Sequence, residues 1–575
     1  MGRTPCSDDE NGYGKSQSNE GDPAMGAGGD SLKASLQNRR PGKLTSWKSD
    51  ALLLAPILLV FAVVRFPVLF HAAGSQDEEW YAVPGHAVYQ QGIPAVPYSR
   101  GRSDDSVFYY ADKILFAQPP LSFYAQAPFF WVVSGGHAAA RLASFSAAVA
   151  SIIVLYLLAR KIGFGRRVAF LAALTFSWSR LLFFPALSAR PDMLCGLLGL
   201  CSHGLLYLIP KTPGQITSKG LSAASDESRS LSEGRLSENV VTVLAGVLIG
   251  LAGLTHAMAI IFALEAAFRL TVLGDGSWHR RVMRLGKLAS ATAATFAMWI
   301  PLIQIRPDLF VSQFVGNILR PAGPGLVSRM LMPWDSFQSQ VPQLIERCGL
   351  ASFLFLAFGL LVSGCVAIRS RDRRELHLWV LTLLSIYLLI VCVGVHPIQG
   401  FWCYSAALGW LSCSRTVVRI LDVRFASLVH RRVATGVAAI LLLALEVPGS
   451  GIRPAIQSIR HWNRVDYQVD RFVSSILQTV PPEASITVGP EFAVEAHVDG
   501  RDVILGCHHP MYFDSRLWPT DYLMVGRRDE DDHRLQAYRN FGYRVEPVAR
   551  FGNREREFTH FAELYRLHPP DAFVK

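Results

Sequence analysis

The residues most able to do chemistry stand at Gln76-Asp77-Glu78-Glu79-Trp80-Tyr81. Three adjacent carboxylates repel one another. That raises the proton affinity of one of them and suits it to act as a general base. Trp80 and Tyr81 offer flat aromatic faces of the kind that pack against sugars. The same run also reads as a solvated loop start. A second stretch runs from Ala111 through Lys113 and Gln118 to Pro119-Pro120-Leu121. It puts a cation and two prolines ahead of aromatic residues, which also fits an interfacial helix. Third, Arg190-Pro191-Asp192 opens an apolar segment. Ionic groups there must be exposed or paired, and an Asp192 cap with a snorkelling Arg190 accounts for them equally well. Fourth, the turn from Gly250 to Thr255 ends on His256, which could contact a phosphate or be satisfied within its own turn. Stretches 308–314 and 396–404 complete the set.

The elements that must position these residues are membrane spans. Half of the 575 residues are hydrophobic, 18% are charged, and mean hydropathy is +0.26. Crossing a bilayer takes about 20 apolar residues, and such runs recur at 51–70, 139–159, 168–185, 193–209, 240–273, 288–305, 350–368, 378–395, 401–418 and 433–445. The run 240–273 is too long for one crossing and breaks best near 254–256, which makes about 11 transmembrane helices. Segment 119–133 is apolar but bracketed by prolines, so it is expected to be re-entrant or interfacial. A soluble, collagenous or disulfide-scaffold protein is excluded. The nine cysteines show no metal spacing.

A net charge of +11 in a soluble chain would suggest nucleic acid. Its distribution says otherwise, and no nucleic-acid partner is expected. With the N-terminus cytoplasmic, the short loops 160–167, 269–287, 369–376 and 415–432 all face the cytoplasm. Together they hold 18 basic and 4 acidic residues. The outer loop 71–138 holds 3 basic and 6 acidic residues, and the tail from Pro448 holds 16 and 18. This register satisfies the positive-inside rule. It puts every polar motif above on the outer face. A transporter or flippase for lipid-linked glycans would more often bury ionisable residues at mid-span within repeated halves. Residues 1–50 have little to bury and are expected to form a disordered cytoplasmic tail. Residues 51–447 form the membrane domain, with outer loops 71–138 and 306–349. Residues 448–575 are expected to form a small α/β extracytoplasmic domain, with strands at 485–489, 502–505, 522–526 and 544–548.

The ordered set of motifs resembles the GT-C fold membrane glycosyltransferases, closest to the protein O-mannosyltransferase and lipid A aminoarabinose transferase group. The resemblance rests on Arg65-Phe66-Pro67 ending a span, Asp77-Glu78 followed by Tyr81, Pro119-Pro120-Leu121, Arg190-Pro191-Asp192, the turn from Gly250 to Thr255, and the Phe310 to Gln313 stretch. It implies transfer of a sugar from a polyprenyl-phosphate donor to an acceptor hydroxyl of protein, lipid or glycan. The implied base is Asp77, with Glu78 either orienting it or holding the sugar. Arg65, Trp80, Tyr81, Lys113, Gln118, Arg190, Asp192 and His256 are the implied donor- and substrate-binding residues. Aminoarabinose-type members usually have Lys where this chain has Gln118, and many relatives have Lys in place of His256. Both departures leave the sugar and acceptor open. A divalent metal is an open option without a ligand set. The expected location is the bilayer of a bacterial plasma (inner) membrane, with the site facing outside or periplasm.

Overall fold

The computed structural model describes residues 47–75, 77–99, 106, 108–133, 135–209, 237–319, 325–395, 400–505 and 519–570. Residues 1–46 of the expected tail lie outside this set, as does 396–399 of the 396–404 motif. Helix α1 (Trp47–His71) starts within the stretch assigned to the tail. The outer loop contributes α2 (Glu78–Gln91) and α3 (Leu121–Val132). The bundle continues with α4 (Gly136–Ile162), α5 (Arg166–Trp178), α6 (Arg180–Leu187), α7 (Asp192–Leu206), α8 (Glu238–Thr255), α9 (Ile260–Thr271) and α10 (Trp278–Phe296). After α11 (Trp334–Cys348) come α12 (Leu350–Ser370), α13 (Arg373–Val393), α14 (Cys403–Arg424) and α15 (Leu428–Glu446).

Local chemistry sets the ends of these helices. Helix α4 stops at Gly163, whose φ of 93° is the left-handed conformation that a glycine adopts without strain. Arg160 and Lys161 in its last turn face the negative end of the helix dipole. Helices α5 and α6 form an apolar pair bent by 60° at Ser179, whose hydroxyl caps α6 by accepting from Leu181 N–H. The break expected near 254–256 falls at His256, between α8 and α9.

Among the described residues, six helices are long and apolar enough to cross a membrane, or seven with the bent pair. Of the other expected crossings, 401–418 lies largely in α14, which is continuous over 22 residues, while 193–209, 256–273 and 288–305 are helical but shorter or interrupted. At 15 residues, α7 spans about 22 Å, less than the roughly 30 Å hydrocarbon thickness.

The C-terminal part is a small α/β unit with α16 (Ile452–Arg460), α17 (Val469–Leu477), α18 (Ala493–Val498) and α19 (Asp529–Asn540). Its strands are β1 (Ser485–Val488), β2 (Asp502–Leu505), β3 (Tyr522–Val525), β4 (Arg544–Gly552) and β5 (Phe561–His568), in the order β2-β1-β3-β5-β4. Strand β1 runs parallel to β2 and β3, while β5 is antiparallel to β3 and β4. Strand β5 goes beyond the strands expected from the sequence. One side of the sheet has its own core, where Leu523 and Val525 cluster with Leu535 and Tyr538 of α19, while the other is shared. Ile486, Val488 and Phe492 share one buried cluster with Trp80, Val83 and Phe123 of the outer loop. A second cluster fills the helical bundle around Leu155, Leu171 and Trp410. Taking each side chain of the shared cluster out of water contributes about 1.5–3 kcal/mol, whereas in the bundle, where lipid is the alternative to burial, the contribution is one of packing.

Candidate active site at the ends of the helices

Asp77 precedes α2, yet its carboxylate makes no capping bond to that helix. It is ion-paired instead with Arg190, 113 residues away in sequence. Arg190 is buried, while the Asp77 side chain keeps 38% of its surface exposed. Arg190 Nε also donates to Asp192 Oδ2 at 2.7 Å, and Asp192 is fully buried. Asp192 thus opens α7 as an ionic partner rather than as its cap, a position held by Pro191. Tyr404 Oη donates to Asp192 Oδ1 at 3.4 Å. The Arg190 guanidinium lies 5.6 Å from the Tyr81 ring centroid and 5.5 Å from that of Phe401. At Gly400 an added Cβ would stand 2.5 Å from Asp192 Oδ2, so only glycine lets the chain pass this close.

His256 joins the same cluster through its ring contact with Phe401 at 5.1 Å. Its Nδ1 accepts from Met258 N–H, which leaves Nε2 as the protonated nitrogen of the neutral ring. Burial holds its pKa down to about 4, against the pull of Asp192 and together with the repulsion of Arg190. At neutral pH the ring is therefore an uncharged donor.

Glu78 occupies a different environment from its neighbour. It is buried, and Arg141 binds it with two parallel 2.7 Å bonds, Nε to Oε1 and Nη2 to Oε2. Ala189 N–H and Ser75 N–H complete its acceptor set. Burial would raise its pKa, but the Arg141 guanidinium outweighs this and holds it at about 2. Arg141 also donates to the carbonyls of Leu69, Ala72 and Ala73. One buried cation thus ties the end of α1, the start of α2 and the turn before α7 to α4. Arg141 is absent from the residues singled out in the sequence, although a lone Arg in the apolar run 139–159 signals a buried acidic partner.

The remaining expected residues are distributed more widely. Trp80 is buried and stacks on Phe108 with centroids 3.9 Å apart. Arg65 is buried inside the bundle under the Phe183 ring, at 4.5 Å. The Lys113 side chain is 68% exposed and pairs with Asp112 at 3.5 Å. Gln118 is half-buried in the loop before α3. Gln313 secures that loop. Its side chain accepts from Phe116 N–H and Ala117 N–H and donates to the carbonyls of Tyr109 and Ile114. Gln313→Leu leaves four backbone groups, three of them buried, without this partner. Unpaired groups of this kind cost about 1–3 kcal/mol each, so faster amide exchange across 109–117 is the expected readout. Unchanged exchange there would remove Gln313 as the anchor.

Inside the bundle, His203 Nε2 lies 2.6 Å from Glu265 Oε2, both buried. The sequence gives no sign of this pair, because α7 and α9 read as plain apolar segments. Among the described residues, no three His, Cys, Asp or Glu side chains gather as a metal-binding group.

The C-terminal unit holds the site loop from behind. Gly74 N–H donates to Glu491 O, Arg528 donates to Gly74 O, and His137 Nδ1 meets the Glu495 carboxylate at 2.6 Å. Burial pushes the Glu495 pKa up, but His137 outweighs it and holds the carboxylate below its usual range. Nearby His560 is held down to about 4 by burial, against the pull of Glu495 and of a hydrogen bond with His71, with Arg527 also lowering it. Unfolded histidine titrates near 6.5. Stability tied to neutral His560 is therefore complete above about pH 6.5 and is lost as pH falls toward 4. The Glu495 contribution is present above its unfolded value and lost only at lower pH. The solubilised protein is expected to melt at a lower temperature at pH 5 than at pH 7.5. His560→Asn should narrow that gap, and an equal gap in the variant would exclude His560 as a source of it.

Residues 117–211, which include Arg141, Arg190 and Asp192, match the family described as dolichyl-phosphate-mannose-protein mannosyltransferase. The fold is that of the GT-C membrane glycosyltransferases, and the chain resembles the protein O-mannosyltransferase and lipid A aminoarabinose transferase group. Among solved structures it is similar to ArnT from Cupriavidus metallidurans in the apo state, at 16% identity and a TM-score of 0.56, covering 90% of this chain and 98% of that one. It is also similar to ArnT from the same organism bound to undecaprenyl phosphate, at 16% identity and a TM-score of 0.52, covering 91% and 98%. No curated protein matches the chain significantly in sequence.

Proposed function

We propose that this protein transfers a sugar from a polyprenyl-phosphate donor to an acceptor hydroxyl, with inversion and with Asp77 as the base. The observation that carries this reading is the Asp77–Arg190–Asp192 chain of charges. It presents one accessible carboxylate on two buried, mutually paired groups. Asp77 takes the proton from the acceptor hydroxyl as its oxygen bonds to the anomeric carbon. The bond from that carbon to the phosphate oxygen breaks, and polyprenyl phosphate leaves with the electron pair. Arg190 stabilises the developing negative charge, with His256 Nε2–H as a neutral donor to the phosphate. Glu78 acts as a positioning residue, because Arg141 and two backbone amides already occupy its oxygens. Tyr81 lies at the site through Arg190 and can pack against the sugar.

In this reading residues 51–447 are the catalytic membrane domain and 448–575 an outer domain that supports the loop 71–75. The site faces the outside or periplasm of a bacterial plasma membrane, a placement supported by the basic excess of the opposite loops. The test is a transfer assay with a panel of polyprenyl-phosphate sugars and membrane extracts, read by mass spectrometry. At least one donor should yield a glycosylated acceptor and free polyprenyl phosphate. Turnover of none of them would exclude the reading.

A further inference from the structure

The end of the bundle away from Asp77 carries a second polar site. Helix α4 ties to Glu78 through Arg141 in its second turn and reaches Lys161 at its other end, in a helix of about 40 Å. Helix α7 likewise opens at Asp192 and closes beside Tyr207. Between these far ends lies a cavity of about 180 Å³ walled by Lys161, Arg269, Arg284, Arg373 and Arg374, with Asp275 as its acidic residue.

The charges in this cavity are not balanced. Arg284 is paired with Glu238, Arg374 with Asp372 at 3.2 Å, and Arg373 lies 3.8 Å from Asp275. Lys161 and Arg269 face no carboxylate among the described residues. Arg269 is laid over the Tyr207 ring at 3.3 Å, and its Nη1 is buried without a hydrogen-bond partner among the described residues. A buried cationic donor left unpaired is costly, and an anion in the cavity would satisfy it. Small-molecule clefts start at about 300 Å³, so this one suits a headgroup better than a nucleotide. Leu206 and Leu270 line the remaining wall, which gives the cavity both a cationic and an aliphatic side.

We infer that this cavity binds the phosphate of an anionic lipid at the membrane surface opposite the Asp77 site, with Lys161 and Arg269 as its principal contacts. Basic pockets between membrane helices take lipid phosphates in this way. The inference uses the membrane setting alone and does not depend on Asp77 being a base.

Native mass spectrometry of the full chain in detergent tests it, with phosphatidylglycerol, undecaprenyl phosphate, phosphatidylcholine and inorganic phosphate as separate probes. Wild-type protein should retain an anionic lipid in preference to phosphatidylcholine. K161Q/R269Q should weaken that retention about tenfold, whereas R453Q, exposed in the C-terminal unit, should leave it unchanged. If the double variant does not fold, Lys161→Gln alone tests the same contact at an exposed helix end, with about threefold weakening expected. The phosphatidylglycerol and undecaprenyl phosphate arms show which lipid supplies the phosphate. Equal retention of phosphatidylcholine, unweakened binding by a folded variant, or binding of inorganic phosphate without any anionic lipid would each overturn the proposal.

Discussion

Asp77→Asn is expected to lower sugar transfer by about 10²–10⁴-fold, the range that a positioned general base contributes. The asparagine is nearly the same size but cannot accept the acceptor's proton. Arg190 keeps its second partner, because its Nε bond to Asp192 does not involve residue 77. The guanidinium should therefore stay in place, and the loss should appear in kcat with little change in donor binding. Asp77 is also the most exposed member of the cluster, so the substitution should not disturb folding. Transfer at wild-type rates by a folded Asp77→Asn protein would remove Asp77 as the base and leave Arg190 without a catalytic partner.

Arg141→Met is expected to produce the largest loss of stability. The substitution leaves the Glu78 carboxylate buried without its cation, and breaking a buried pair from one side costs about 3–5 kcal/mol. It also releases the carbonyls of Leu69, Ala72 and Ala73. The expected readout is a markedly lower unfolding temperature of the solubilised protein. E78Q/R141M removes both charges and should recover part of the loss, since the penalty lies in the unpaired charge. If the double variant were no more stable than Arg141→Met, the pair would not be what holds this corner together. Any folded Arg141 variant should also transfer sugar poorly, because Arg141 fixes Glu78, the residue next to Asp77 in the chain.

Several of the site residues are legible in the sequence. Asp77, Arg190, Asp192 and His256 stand out as ionisable groups at the ends of apolar runs, and the fold brings them together. Trp80 reads from the sequence as a sugar platform, yet it packs in the core shared with the C-terminal unit. Both options have the same local sequence, and only the direction of the side chain separates them. Glu78 is the sharper case. It adjoins Asp77 in the chain, but one carboxylate stays partly exposed while the other is buried against Arg141. Gln313 belongs to a legible motif and Arg141 stands out in an apolar run, but neither stretch of sequence names its partners, which lie 63 to 204 residues away.

Hydropathy along the chain is enough to establish a multi-span membrane protein, and the placement of charge sets the orientation expected of it. Both act through local sums, so they can be read without knowing any contact. Which ionisable groups are paired is a different kind of fact, and it comes from the folded chain alone. Asp77 meets Arg190 across 113 residues, Glu78 meets Arg141 across 63, and His137 meets Glu495 across 358. A buried charge requires a partner of opposite sign, but that requirement names a chemistry and not a position. The packing of helix ends supplies the position, and with it the difference between the carboxylate proposed to react and the one that holds it in place.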